Sequence, residues 1–121
     1  MYEVLFYENQ NGYSELFEQI QELMKKSEKN KDARIQYKQI LLCVELLKQN
    51  GTKMNNIITK FIRDGIWELR PGNNRILYFY FKNDKYVLLH MFRKKTNKTP
   101  EIEIERAIRE KNDYILRNGD E

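Results

Sequence analysis

The chain has 121 residues and a net charge of +4, from 22 basic and 18 acidic side chains. That length fits one domain, taken as residues 1–121, and argues against a two-domain enzyme. Hydrophobic residues make up 40% of the chain and charged ones 33%; the apolar residues are nevertheless patterned well enough to build a modest core, which excludes disorder for most of the chain.

Tyr2, Val4, Leu5, Phe6 and Tyr7 make Met1–Tyr7 a short β-rich run, closed by the turn-forming Asn9-Gln10-Asn11-Gly12. Glu3 stands where an export signal would carry basic residues, and no long apolar stretch follows, so no signal peptide is expected. From about Ser14, Leu16, Phe17, Ile20, Leu23 and Met24 recur at spacings of three and four, which is one helical face. The polar run from Lys25 to Asp32 interrupts it. A second stripe follows in Ala33, Tyr37, Ile40, Leu41, Val44 and Leu47, with Asp32 expected as N-cap and Asn50-Gly51 as the stop. Together these form a helical hairpin. Cys43 lies on the buried side of the second stripe and reads as a small core residue. As the single cysteine it excludes an internal disulfide framework and a cysteine-rich zinc site, and it points to a soluble, reducing, cytoplasmic setting.

Beyond Gly51 the period changes. Ile66–Arg70, Arg75–Phe81 and Tyr86–Phe92 are aromatic and β-branched runs separated by Pro71-Gly72-Asn73-Asn74 and Lys82-Asn83-Asp84-Lys85. They predict a three-stranded antiparallel meander. The last run, apolar from Val87 to Phe92 except at His90, suits a central strand covered on both faces and is far too short to cross a bilayer. Thr99-Pro100-Glu101 predicts the start of a final helix, with Thr99 as cap, Pro100 at the first helical position and a stripe of Ile104, Ala107, Ile108 and Ile115. Asn118-Gly119-Asp120-Glu121 reads as a frayed end. The expected order is β-α-α-β-β-β-α, an α+β domain in which an antiparallel sheet packs against an N-terminal helical hairpin and a C-terminal helix.

The charge is unevenly placed. Between Lys60 and Lys98 lie ten basic residues and three acids, a net of +7 that leaves −3 for the remainder. Antiparallel connection brings Arg70, Arg75 and Arg93-Lys94-Lys95 to one end of the sheet. Cations gathered there repel one another, so the cluster is either a solvated rim or a site for an anionic partner, acidic protein or nucleic acid. Trp67, Tyr78 and Tyr80 lie on neighbouring strands and could offer ring faces to bases. Lys60 and Lys98 extend the basic stretch. Glu68 is either a general base or the ion partner of Arg70 or Arg75, and His90 is either a packed core histidine or a base. No metal-ligand spacing, phosphate-binding loop or nucleophile elbow is present, and no cofactor is implied.

The runs Asp64-Gly65-Ile66-Trp67-Glu68-Leu69-Arg70 and Asn74-Arg75-Ile76-Leu77-Tyr78-Phe79 resemble the RelE/ParE superfamily of bacterial toxin–antitoxin toxins. The block from Leu88 to Pro100, with its Arg93-Lys94-Lys95 and Lys98-Thr99-Pro100, is similar to the phage-derived, HigB-like branch. The resemblance covers essentially the whole chain. It implies a RelE-like fold and a toxin silenced by a co-encoded helix-turn-helix, HigA-like antitoxin. It further implies a metal-independent, ribosome-dependent endoribonuclease, an mRNA interferase. Arg70 and Arg75 match the paired strand arginines, and Lys94 falls where RelE-like toxins carry a catalytic arginine. On this reading Lys60, Arg93, Lys95, Lys98 and Tyr80 would contact RNA, and Glu68 or His90 would take the role of base. The sequence departs from RelE at Ile66 and Glu68, where RelE-like toxins have lysines. Their C-terminal tyrosine has Tyr114 as its one distant counterpart. The superfamily also contains non-enzymatic gyrase inhibitors of the ParE branch, and a plain RNA-binding module would share the same charge pattern.

Overall fold

A computed structural model describes residues 1–119. Strand β1 (Glu3–Phe6) leads into helices α1 (Glu15–Lys26) and α2 (Lys31–Asn50); strands β2 (Thr59–Arg63), β3 (Ile66–Leu69), β4 (Asn74–Tyr80) and β5 (Lys85–Arg93) follow, and helix α3 (Glu101–Asn118) closes the chain. The α+β class and the helix placement agree with the sequence. Two features of the sheet do not. β2 is an additional strand, and the sheet is mixed: its order is β1-β5-β4-β3-β2, with β1 parallel to β5 and the other neighbours antiparallel. The helical hairpin carries the chain from one sheet edge to the other, and the meander then returns strand by strand until β5 meets β1.

Caps set the helix boundaries. The Ser14 hydroxyl accepts from the Phe17 N–H at 3.1 Å, as a first-turn cap should. On α2 the cap is Asn30 instead of the expected Asp32: the Asn30 side chain accepts from Ala33 N–H at 2.8 Å, and Asp32 sits in the first turn, where its charge suits the helix dipole. The expected stop is present, since Gly51 follows Asn50 at φ +61°. Likewise α3 begins one residue later than expected, with Pro100 as its cap and no side-chain cap bond, because the Thr99 hydroxyl is used elsewhere. Of the expected frayed end, Asn118 is helical, and Asp120 and Glu121 lie outside the described residues.

Strand alternation sorts the core into two layers. Ile76, Tyr78, Leu88 and Met91 turn toward α1 and α2 and meet Leu16, Ile40, Cys43 and Leu47. On the opposite face, Ile66, Leu77, Phe79, Val87 and Leu89 meet Ala107 of α3. β5, with a neighbour on each side and helices above and below, is buried from Tyr86 through Met91, as its apolar run predicts. A bulge between Leu77 and Tyr78 shifts the β4–β5 register by one residue. Among the described residues no helix is long and apolar enough to cross a membrane.

Candidate active site

The face shared with α3 carries the cation cluster. β3 turns Ile66 and Glu68 toward α3, Arg70 follows on that face just beyond the strand, and Arg75, the second residue of β4, joins them across from Phe92. Glu68, 2% exposed, is the hub. Its Oε1 accepts from Arg70 Nε at 3.0 Å and stands 3.9 Å from Arg75 Nε, while its Oε2 accepts from the Thr99 hydroxyl at 2.6 Å. Arg70 also donates to the Asn56 carbonyl at 2.9 Å, and Arg75 to the carbonyls of Gly72 and Asn74, each at 2.8 Å. One buried carboxylate and three carbonyls therefore fix the orientation of two guanidinium groups, whose side chains retain 21% and 13% of their exposure. Burial pulls the Arg75 guanidinium below its ordinary pKa, Glu68 opposes that, and Arg70 adds to it. At any ordinary pH both arginines stay charged.

The segment after β5 completes the cluster. Lys94 N–H donates to the Asn73 carbonyl at 2.8 Å, and residues Lys94–Pro100 run past Glu68, Arg75 and Phe92. The space enclosed there is about 10 Å³, room for about one water. That is too small for an anion such as phosphate, so the arginines are reachable by one only from the open side of this segment. Lys94, Lys95 and Lys98 are exposed around it. Lys60 pairs directly across from Glu68 on β2, which puts it on the same face, exposed at the sheet edge.

Other residues singled out in the sequence lie apart from this cluster. His90 is fully buried beneath α3, with Nδ1 2.6 Å from Glu110 Oε1 and Nε2 2.9 Å from Glu103 Oε1. It ties the helix to the sheet and does not face solvent. Arg93 is one residue beyond Phe92 and so points to the other face, beside α2. Tyr80 is at the far end of β4, about 17 Å from Arg75 at the usual strand rise, where its ring packs edge-on against Tyr86. Tyr78 is buried in the core with its hydroxyl 2.6 Å from Thr59 Oγ1, and Trp67 packs edge-on against Phe61. Neither the buried Tyr78 ring nor the distant Tyr80 ring can stack on a base held at the arginines. Tyr114 packs against Phe79 and Phe81, some three turns along α3 from the cluster.

Two members of the site are new. Thr99 anchors the lysine-bearing segment to Glu68, and Phe92 is the aromatic ring that lines the cluster. The Phe92 position was open to strand alternation once Arg75 was placed opposite it. For Thr99 the sequence carries no signal, because a Thr before Pro is an equally good helix cap.

No curated protein sequence matches the chain. Among solved structures, the YoeB dimer from Staphylococcus aureus superposes with a TM-score of 0.51 at 14% identity, over 78% of this chain and 97% of that one. The heterotetrameric YoeB–YefM toxin–antitoxin complex from the same organism gives 0.50 at 14% identity, over 79% and 98%. At that identity the likeness establishes the fold, which is the YoeB/RelE-like one. The phage-derived protein Gp49-like (DUF891) family model matches residues 21–112, a span that runs from α1 into α3 and includes Glu68, both arginines and the lysine block. The chain belongs to this phage-derived Gp49-like family and has the RelE-superfamily fold that its strand motifs resemble.

Proposed function

We propose that the protein is the toxin of a HigB-type toxin–antitoxin pair and an endoribonuclease that cleaves mRNA on the ribosome in the cytoplasm. The observation that carries this reading is the pair Arg70 and Arg75, held on one buried carboxylate beneath a lysine-rich segment. Two guanidinium groups in fixed orientation match the oxygens of a phosphate and pay little ordering entropy on binding it. The fold shared with YoeB, which forms a complex with YefM, supports an antitoxin as partner; the HigA-like, helix-turn-helix type is inferred from the sequence resemblance.

In this mechanism the 2′-oxygen of the RNA bonds to the adjacent phosphorus and the bond to the 5′-oxygen breaks. The products are a 2′,3′-cyclic phosphate and a 5′-hydroxyl. Charge grows on the phosphorane oxygens, where Arg70 and Arg75 stabilise it. Lys94 gives a proton to the departing 5′-oxygen, and the 2′-hydroxyl proton leaves to solvent. Glu68 acts as the positioning residue for the arginines, because both its oxygens are already engaged. His90, enclosed by Glu103 and Glu110, holds α3 in place. Lys60, Lys95 and Lys98 contact the flanking RNA backbone.

Primer extension on cellular mRNA after brief induction tests the proposal. Discrete new 5′ ends that vanish with Arg75→Ala support it. Growth arrest with DNA-damage signalling and intact mRNA would mean a gyrase-type poison, and salt-dependent RNA binding without toxicity would mean a binding module without chemistry.

A further inference from the structure

The end of the sheet that carries the arginine pair also has an opposite face, and a second cavity opens there. About 270 Å³ in volume, it lies between the start of α2 and the Pro71–Asn74 turn and is lined by Asp32, Gln36, Gln39, Gly72 and Arg93, among others. That is slightly below the usual range for small-molecule pockets, which begins near about 300 Å³, and it suits a single planar ring system. Arg93 supplies a guanidinium with no hydrogen-bond or ion-pair partner among the described residues. Asp32 supplies a carboxylate with one oxygen in use, accepting from Gln36 Nε2 at 2.7 Å, and the other open.

The walls are fixed. Gln36 Oε1 accepts from Asn74 Nδ2 at 3.0 Å, and Asn74 is buried next to Arg75, so the cavity is wired to the strand that carries the phosphate-binding arginine. Gln39 lies flat against Gly72: a Cβ there would come 2.2 Å from Gln39 Oε1, and the backbone at φ +62° already favours glycine. Arg93 pairs with Asn74 and Phe92 with Arg75, so the two arginines are one step apart along the strands and face opposite ways. An RNA strand crossing the lip formed by Asn73 and Lys94 would carry its phosphate on one face and present the adjoining base to the other.

We propose that this cavity is a guanine-recognition subsite for the nucleotide adjoining the cleaved phosphate. The proposal rests on the RNA-cleaving reading above and extends it to base choice. Guanine offers O6 and N7 as paired acceptors for the Arg93 fork, and N1–H and the 2-amino group as donors for Asp32. Adenine places an amino group where Arg93 needs an acceptor. Pyrimidines lack the N7 acceptor of that pair.

The test is a side-chain amide NMR titration of the full-length protein with guanosine, adenosine, cytidine and uridine 5′-monophosphates. The expected result is guanosine binding about 10-fold tighter or more, with shifts at the Gln36 and Gln39 amides. Inosine 5′-monophosphate, which lacks the 2-amino group, should bind between guanosine and adenosine. Arg93→Ala should weaken the guanine preference, and Arg93→Ala combined with Asp32→Ala should bring the four nucleotides to equal affinity, while the backbone spectrum stays that of the folded chain. Equal binding of all four by the wild type, or a guanine preference that survives the double substitution, overturns the subsite. Binding is read without cleavage, so a guanine preference in a protein that cuts no RNA would defeat the nuclease reading and leave the subsite standing. Cleavage without guanine preference would do the reverse.

Discussion

Replacing Glu68 with glutamine tests the hub of the cluster. The amide has nearly the same shape but no charge. Its oxygen still accepts from Arg70 Nε, now as a neutral group, and its NH₂ turned toward Thr99 reverses the other bond, the hydroxyl accepting where it donated to the carboxylate. Removing one member of a buried ion pair costs about 3–5 kcal/mol when the remaining charge is left uncompensated. Here Arg70 and Arg75 keep their backbone carbonyl acceptors and 21% and 13% of their side-chain exposure, so the loss belongs at the low end, about 3 kcal/mol. For a chain of this size about 1 kcal/mol corresponds to about 4 °C, so Glu68→Gln should melt about 12 °C below wild type in thermal unfolding followed by circular dichroism. Inorganic phosphate should recover more of that loss in the variant than it adds to the wild type, because it replaces the missing anion between the two arginines. A melting point within about 2 °C of wild type, or no difference in the phosphate response, would refute the role given to Glu68.

Three further outcomes follow from the same geometry. Leu47→Ala, at a fully buried position between α2 and the sheet, should lower stability by about 2–5 kcal/mol in urea unfolding. Cys43 is 5% exposed and burial raises its thiol pKa, so iodoacetamide at pH 8 should label the native protein far more slowly than the urea-unfolded chain. The Arg117 guanidinium and the Tyr7 hydroxyl both donate to Asp113 and hold its carboxyl below the ordinary 3.8. A depressed folded-state pKa stabilises the fold above the unfolded value, so this tie between Tyr7, just after β1, and α3 should persist at pH 4 and be lost as pH falls through the lowered pKa; carboxyl NMR of Asp113 reads it directly, and titration at or above 3.8 would contradict it.

Periodicity made most of the elements legible. The stripes of α1, α2 and α3 and the runs of β3, β4 and β5 fall within a residue or two of their expected bounds. β2 was hidden because Thr59–Arg63 is a short edge strand with Lys60 and Arg63 in it and a bulge near its end. Its signal was Asp64-Gly65, a two-residue hairpin turn in which both residues have positive φ. The parallel pairing of β1 with β5 joins residues more than eighty apart in the chain, and no local pattern encodes it.

For the site, strand direction was enough to gather Arg70, Arg75 and Lys94. It did not sort faces. Alternation from Arg75 opposite Phe92 sends Arg93 to the α2 side, a distinction that charge counting overlooks. The contacts that bear on Glu68 and His90 are tertiary and have no local signal: Thr99 reaches Glu68 from the chain beyond β5, and His90 lies between Glu103 and Glu110 of α3.

The central claim, that the Glu68-held arginine pair drives RNA cleavage through the 2′-hydroxyl, is tested most directly by the chemistry of the cut ends. Messenger RNA recovered after brief induction should carry new 5′-hydroxyl and 2′,3′-cyclic phosphate ends, and Arg75→Ala should lower their rate of appearance about 10²–10³-fold. Ends bearing 5′-phosphates, or an Arg75→Ala protein that cuts as fast as wild type, would contradict the account.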